Sequence, residues 1–134
     1  MVKIIDTSVA IKWFVAESGQ ETALQVFEEA MTTPQNFAVP ELFYFELGHV
    51  FNRLVSKPNA GQLNVFGQVL SLGLNRFSMT EEFFAEIRSF QARGLSGYDA
   101  AYVALAKMTK GVWLTFDAKA HRLVSSLHLS RLLT

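Results

Sequence analysis

The stretches Val2-Lys3-Ile4-Ile5-Asp6 and Val112-Trp113-Leu114-Thr115-Phe116-Asp117 each consist of a short apolar run that ends at an aspartate. Both runs have the composition of buried β-strands, and the residues after each of them predict a helix. Strands that lead into helices are the units from which parallel α/β sheets are built. If these two strands are parallel neighbours, their carboxyl ends bring Asp6 and Asp117 to one edge of the sheet.

The same alternation extends along the chain of 134 residues. Short apolar runs bounded by turn residues predict five strands, at 2–5, 36–39, 76–79, 112–115 and 128–132. Helical periodicity predicts seven helices, at 8–16, 19–32, 41–56, 60–74, 81–93, 97–109 and 118–126. We therefore expect a single domain over residues 1–134, with a three-layer α/β/α fold around a five-stranded, mostly parallel sheet.

The composition excludes several classes of protein. Hydrophobic residues make up 50% of the chain, which excludes a disordered protein. The absence of cysteine excludes disulfides, thiolate zinc sites and a cysteine nucleophile. No apolar stretch approaches the roughly 18 residues of a membrane span, and no signal-peptide pattern precedes Asp6, so we expect a cytoplasmic protein without membrane association. A formal net charge of zero argues against nucleic-acid binding through bulk charge alone.

The only aspartates of the chain are Asp6, Asp99 and Asp117, and each lies near the start of a predicted helix. Each of them could cap its helix, and Ser96-Gly97-Tyr98-Asp99 has the spacing of a capping box. Capping does not explain why every aspartate lies at such a junction, and a capping carboxylate can also bind a cation. Because carboxylates gathered at one edge repel one another unless a cation joins them, we interpret this pattern as a divalent-metal site.

A fourth acid is expected from the helix that follows Pro40, where Glu41 and Glu46 are the candidates. The apolar stripe of this helix consists of Phe43, Leu47, Val50, Phe51 and Leu54. At about 100° per residue, Glu41 lies opposite the stripe, toward solvent, and Glu46 lies on its shoulder. We therefore favour Glu46. None of the three histidines has an evident serine partner, and His49 is expected to face solvent.

Four stretches together resemble the PIN domains. They are Ile5-Asp6-Thr7-Ser8, Pro40 with Glu46 six residues later, Tyr98-Asp99-Ala100-Ala101-Tyr102 and Leu114-Thr115-Phe116-Asp117. Their order and spacing resemble the VapC-type toxins of bacterial and archaeal toxin–antitoxin pairs in particular, over essentially the whole chain. The resemblance implies an acidic metal site at Asp6, Glu46, Asp99 and Asp117, with supporting polar side chains at Thr7, Ser8 and Thr115. Lys119 departs from the pattern, because some members of the family have an acid there.

The resemblance also implies a function and partners. It implies an endoribonuclease toxin that hydrolyses RNA with a metal-activated water, is held by a VapB-type antitoxin and forms a homodimer. Oxygen ligands without soft donors favour Mg²⁺ or Mn²⁺. Segments 11–15 and 42–45 have apolar residues on several faces, which predicts a groove for an antitoxin segment or for a second copy of the chain.

Three alternatives have less support. A haloacid-dehalogenase-like phosphatase usually has a second aspartate two residues after the first, and here that residue is Ser8. A receiver domain requires a phosphoacceptor aspartate in mid-chain, and residues 7–98 contain none. The remaining alternative is a non-catalytic interaction module with the PIN fold, which has no need to keep all four acids.

Overall fold

The computed structural model describes the whole chain, Met1 to Thr134, and has a five-stranded sheet at its centre. The strands are β1 (Lys3–Ile5), β2 (Phe37–Pro40), β3 (Asn75–Phe77), β4 (Val112–Thr115) and β5 (Ser130–Leu132). Their order in the sheet is β3-β2-β1-β4-β5, and every neighbouring pair is parallel. The predicted α/β fold is therefore confirmed, with a sheet that is parallel throughout.

Seven α-helices connect and cover the strands. They are α1 (Thr7–Ala10), α2 (Gln20–Thr32), α3 (Leu42–Leu54), α4 (Ala60–Leu70), α5 (Glu81–Gln91), α6 (Gly97–Thr109) and α7 (Ala118–Val124). The chain crosses the sheet in one direction from β1 to β3 and in the other from β3 to β5. Because parallel crossovers are right-handed, these directions put α1–α4 on one face and α5–α7 on the other. None of the helices has the length and apolarity needed to cross a membrane.

The strand order reverses between β1 and β4, at the centre of the sheet. The two strands pair in register, with Ile5 opposite Leu114. Asp6 follows β1 directly, and Asp117 comes two residues after the end of β4. In parallel α/β sheets this reversal point opens a crevice at the carboxyl ends of the strands, and both aspartates lie there.

The interior is one cluster of 36 buried hydrophobic residues. Helix α6 contributes an unbroken buried run from Ala100 to Ala106. Four of these seven residues are alanine, whose small side chain allows the helix backbone to approach the sheet closely. Helix α6 packs against β1, β2 and β4, and α5 packs against α6. The start of α6, which carries Asp99, is thereby held at the same edge of the sheet as Asp6.

The segment after β1 differs from its prediction. Instead of a helix over 8–16, α1 ends at Ala10 and a 3₁₀ turn covers Ile11–Trp13. The apolar side chains of this turn are buried, and the indole N–H of Trp13 donates to the Ala23 carbonyl at 2.8 Å. These residues therefore belong to the core, and the prediction that segment 11–15 lines a groove was wrong.

The second predicted segment, 42–45, does line a groove: Tyr44 and Phe45 both lie in its wall, although they differ in exposure. Tyr44 is buried, whereas Phe45 exposes 78% of its surface. The apolar groove of this protein lies between α3 and α4 instead of between the first helix and α3. It is a cavity of about 620 Å³ whose lining includes Phe45, Leu63, Phe66 and Leu70.

Candidate active site

Asp6 is the only carboxylate buried in the interior, with 4% of its surface exposed. The Ser8 backbone N–H donates to Asp6 Oδ1 at 2.9 Å, and the Ser8 hydroxyl donates to the same oxygen. The indole N–H of Trp113 donates to Oδ2 at 2.9 Å. Burial raises the pKa of Asp6 from 3.8 to about 6, and the hydrogen bonds from Ser8, Thr115 and Trp113 oppose that rise. The ionised form of Asp6 is thus costly, and a bound cation would relieve that cost.

Two hydroxyl groups connect Asp6 to the end of β4. Ser8 Oγ and Thr115 Oγ1 lie 3.3 Å apart. Ser8 Oγ accepts the Phe116 N–H at 3.0 Å, and Thr115 Oγ1 accepts the Asp117 N–H at 3.0 Å. Because Ser8 Oγ also donates to Asp6, one chain of hydrogen bonds links the Asp6 carboxylate to the Asp117 backbone. The two hydroxyls fix the relative positions of these two aspartates.

Glu46 is half-buried on α3, with its carboxylate directed toward α1 and α6. Its Oε1 accepts hydrogen bonds from the Thr7 hydroxyl at 2.8 Å and the Tyr102 hydroxyl at 2.9 Å. Oε2 accepts no hydrogen bond from the protein, so this oxygen is free to bind a ligand. Glu41, the other candidate on this helix, instead pairs with Arg76 at 3.7 Å on the surface.

Asp99 and Asp117 both lie at helix starts, but only one of them is a cap. At the start of α6 the Ser96 hydroxyl accepts the Asp99 N–H at 3.1 Å, so serine is the cap and the Asp99 carboxylate is not needed for capping. Asp117 caps α7, where its Oδ1 accepts the Ala120 N–H at 3.0 Å. Burial raises the pKa of Asp99 most, and the negative charges of Asp117 and Glu46 raise it further. The three carboxylates are thus close enough to repel one another.

Two buried aromatic residues hold the carboxylates, and the sequence analysis assigned a role to neither. The rings of Tyr102 and Trp113 stack at an interplanar angle of 12°, with centroids 6.3 Å apart. Trp113 donates to Asp6 and Tyr102 donates to Glu46. Burial raises the pKa of Tyr102 well above its ordinary value, as do the charges of Glu46, Asp6 and Asp99, so its hydroxyl remains a donor. These contacts could have been expected from the sequence, because the N–H of a buried tryptophan and the O–H of a buried tyrosine each require a hydrogen-bond acceptor.

The four predicted acids fit a hard divalent cation by donor chemistry, since they supply only carboxylate oxygens. No three Asp, Glu or His side chains are positioned to bind one metal ion together in this structure. An ion held directly by three or more of Asp6, Glu46, Asp99 and Asp117 therefore requires these carboxylates to approach one another more closely. A bound cation would neutralise the repulsion among Asp99, Asp117 and Glu46 and would thereby favour their closer approach.

Two cavities open beside these acids. The first, of about 350 Å³, lies between α6 and α7, and its lining includes Asp99, Asp117 and Lys119. Lys119 has no carboxylate within ion-pair distance. The second cavity, of about 390 Å³, is lined by Leu42, Phe45, Glu46, His49 and Tyr98. His49 is exposed, as predicted, but it also lines a cavity that contains a candidate metal ligand.

Three solved structures have a fold similar to that of this protein. Mycobacterium tuberculosis VapC20, a toxin that cleaves the sarcin-ricin loop, has a similar structure, with a TM-score of 0.71 and 14% identity over 98% of this chain and 99% of VapC20. A toxin–antitoxin complex from Klebsiella pneumoniae contains a chain with a TM-score of 0.65 and 18% identity, over 89% of each chain. A Pyrobaculum aerophilum protein has a TM-score of 0.66 and 15% identity, over 95% of this chain and 93% of that one. A comparison with curated protein sequences gives no match.

At these identities the structures establish a shared fold. A model of the PIN domain matches residues 3–125, which is most of the chain. The protein therefore belongs to the PIN-domain family.

Proposed function

We propose that this PIN domain is a Mg²⁺- or Mn²⁺-dependent endoribonuclease and the toxin of a VapBC-type toxin–antitoxin pair in the cytoplasm. The observation that carries the proposal is the buried Asp6, whose pKa is raised to about 6 at the point where the strand order reverses. A carboxylate whose ionised form is destabilised by burial and that lies beside other acids is typical of a functional site that binds a cation. The structural similarity to VapC20, a toxin that cleaves the sarcin-ricin loop, supports the proposal of a nuclease toxin.

In this proposal Asp6 and Asp99 bind the cation directly, and Glu46 and Asp117 complete its surroundings. The cation, when bound, supplies Lewis-acid activation of a phosphodiester and a water. Hydrolysis forms a bond between the water oxygen and phosphorus and breaks the bond from phosphorus to the 3′-oxygen. The products are a 5′-phosphate and a 3′-hydroxyl.

The supporting side chains orient the acids. Thr7 and Tyr102 hold Glu46 Oε1 and leave Oε2 without a hydrogen bond from the protein. Ser8 holds Asp6 and, through Thr115, the Asp117 backbone. These contacts position carboxylates that would otherwise repel one another, so that less reorganisation is needed when the cation binds.

The first test is RNA cleavage by the purified protein with Mg²⁺, with Mn²⁺ and with EDTA. We expect cleavage with either metal and none with EDTA. Asp99→Asn should lower the rate by more than about 100-fold, because loss of a direct ligand costs at least as much as loss of a supporting contact. Glu28→Gln, which removes an exposed acid of α2, is the matched control and should cleave normally. Products with 2′,3′-cyclic phosphate ends would show that the 2′-oxygen is the nucleophile and contradict the proposed chemistry.

The alternative is a non-catalytic module with the PIN fold, which has no need to keep all four acids. Metal binding separates the two functions. We expect Mn²⁺ to raise the melting temperature of the wild-type protein and to leave that of Asp6→Ala unchanged. A wild-type protein with no response to Mn²⁺ and no cleavage of RNA would favour the module.

The proposed antitoxin site is the groove between α3 and α4. Its apolar lining includes Leu63 and Leu70, which expose 54% and 43% of their surfaces. An apolar or amphipathic helix is the kind of segment that such a groove receives. Phe45 lines both this groove and the cavity that contains Glu46. A segment bound in the groove would therefore lie next to the acidic site. Homodimerisation is the competing use of the same surface.

A further inference from the structure

Two exposed aromatic rings lie beside the acidic site. Phe45 of α3 exposes 78% of its surface and Tyr98 of α6 exposes 67%. They come from different helices and line the same cavity of about 390 Å³. Neither ring takes part in the aromatic contacts of the interior. The packing of the core does not explain why two large aromatic rings are exposed to solvent at the same cavity.

The position of the rings follows from the sequence next to the acids. Phe45 directly precedes Glu46, and Tyr98 directly precedes Asp99. Glu46 itself lines the cavity, and His49 adds a side chain that can donate or accept a hydrogen bond. The cavity thus combines apolar faces, a polar edge and direct access to a candidate metal ligand. A nucleobase has the same combination, because its flat faces stack on aromatic rings and its edge forms hydrogen bonds.

We propose that this cavity is the subsite for one unstacked nucleobase next to the scissile phosphate of single-stranded RNA. The proposal rests on the proposed ribonuclease function and adds to it the place where the base next to the cleaved bond binds. The base stacks on Tyr98 and Phe45, and its neighbouring phosphate lies at the acids. A base inside a duplex is not available for this contact, so the enzyme selects loops and single strands. An apolar protein segment fits the larger α3–α4 groove better, because that groove lacks a carboxylate.

The test compares cleavage of one single-stranded RNA by four substituted proteins. Tyr98→Ala and Phe45→Ala should each lower kcat/KM by about 5- to 150-fold, mainly through KM, which corresponds to the stacking of one base. Tyr98→Phe keeps the ring and should cleave at nearly the wild-type rate. Phe84→Ala is the matched control, because Phe84 exposes 53% of its surface on α5, away from the cavity, and it should change nothing.

A second arm removes the base instead of the ring. An RNA with an abasic nucleotide beside the cleaved bond should be a poor substrate for the wild-type protein by a similar factor. Tyr98→Ala should lose little further activity on this RNA, because the partner of the ring is already absent. The Mn²⁺-induced rise in melting temperature should be the same in Tyr98→Ala and wild type, which separates loss of stacking from damage to the metal site.

The outcomes are distinct. Normal cleavage by both alanine variants, or an abasic penalty that is equally large in Tyr98→Ala, overturns the subsite while the ribonuclease function remains. Normal cleavage combined with loss of inhibition by the antitoxin assigns the cavity to the partner protein and also overturns the subsite. A wild-type protein that cleaves no RNA overturns the proposed function and the subsite together.

Discussion

The two oxygens of the Asp6 carboxylate are held from two different elements. Oδ1 is held by Ser8 of α1 and Oδ2 by Trp113 of β4. Because the group is buried, these hydrogen bonds lessen but do not cancel the cost of its ionisation, and the pKa is raised to about 6. The folded, metal-free protein therefore keeps Asp6 protonated up to about pH 6, whereas the carboxyl of the unfolded chain has a pKa of 3.8. Asp6 favours the cation-bound protein over the metal-free protein for the same reason.

The first prediction concerns the pH dependence of stability in EDTA. Below pH 3.8 Asp6 is protonated in both states and costs nothing. As the pH rises toward 6 the unfolded chain ionises first, so stability falls, by about 3 kcal/mol at pH 7. Asp6→Asn has no ionisable group at this position and should lack this fall, so its stability relative to wild type should rise between pH 4 and pH 7. Urea unfolding at four pH values measures this, with Glu28→Gln as the control. A difference that is independent of pH would show that burial does not determine the energetics of Asp6.

At the scale of elements, strands and long helices were predictable because their periodicity and caps are local. The predicted helix over 97–109 and the strand over 112–115 match α6 and β4 residue for residue. The segment 8–16 was not predictable in the same way, because a 3₁₀ turn of three residues is too short to show a period in the sequence. The contact from Trp113 to Asp6 depends on which strand lies beside β1, and a single sequence does not contain that information.

The second prediction concerns the junction between α6 and β4, where Gly111 is buried. A Cβ added at Gly111 would collide with the backbone carbonyl of Val2, which accepts the Val112 N–H at 2.9 Å. Backbone cannot move aside as a side chain does, so Gly111→Ala should push β1 from β4 and destabilise the protein by about 1–3 kcal/mol. Gly67→Ala is the contrast, because Gly67 lies inside α4 with no atom near its added Cβ, and it should stabilise by up to about 1 kcal/mol.

Thermal unfolding of the two glycine variants measures both effects. Asp6 and Asp117 follow β1 and β4 at the ends opposite to Gly111. A displacement that spreads along this strand pair changes the distance between them, so Gly111→Ala should also weaken the stabilisation by Mn²⁺. Gly67→Ala should leave that response unchanged. A Gly111→Ala protein as stable as wild type would show that the β1–β4 contact is looser than the structure indicates.

At the scale of the whole molecule, the acids lie between two cavities of different character. Phe45 and Tyr98 are on one side, and the unpaired Lys119 is on the other. Lys119 is the residue that departs from the family pattern, and a base there disfavours a second cation but suits a phosphate. The groove between α3 and α4 adjoins the aromatic cavity through Phe45. Substrate and antitoxin would thus compete at Phe45, which gives inhibition a simple steric basis.

The last prediction uses residues that line only the groove. Leu63→Glu places a charge in the apolar lining and should weaken binding of the antitoxin that co-purifies from the native host by more than about 10-fold. RNA cleavage should be unchanged, because Leu63 does not line the cavities beside the acids. Leu24→Glu is the matched control, since Leu24 exposes 43% of its surface on α2 and lies outside the groove. Affinity is measured by titration and oligomeric state by sedimentation. A Leu63→Glu protein that becomes monomeric yet binds antitoxin normally would assign the groove to the homodimer instead.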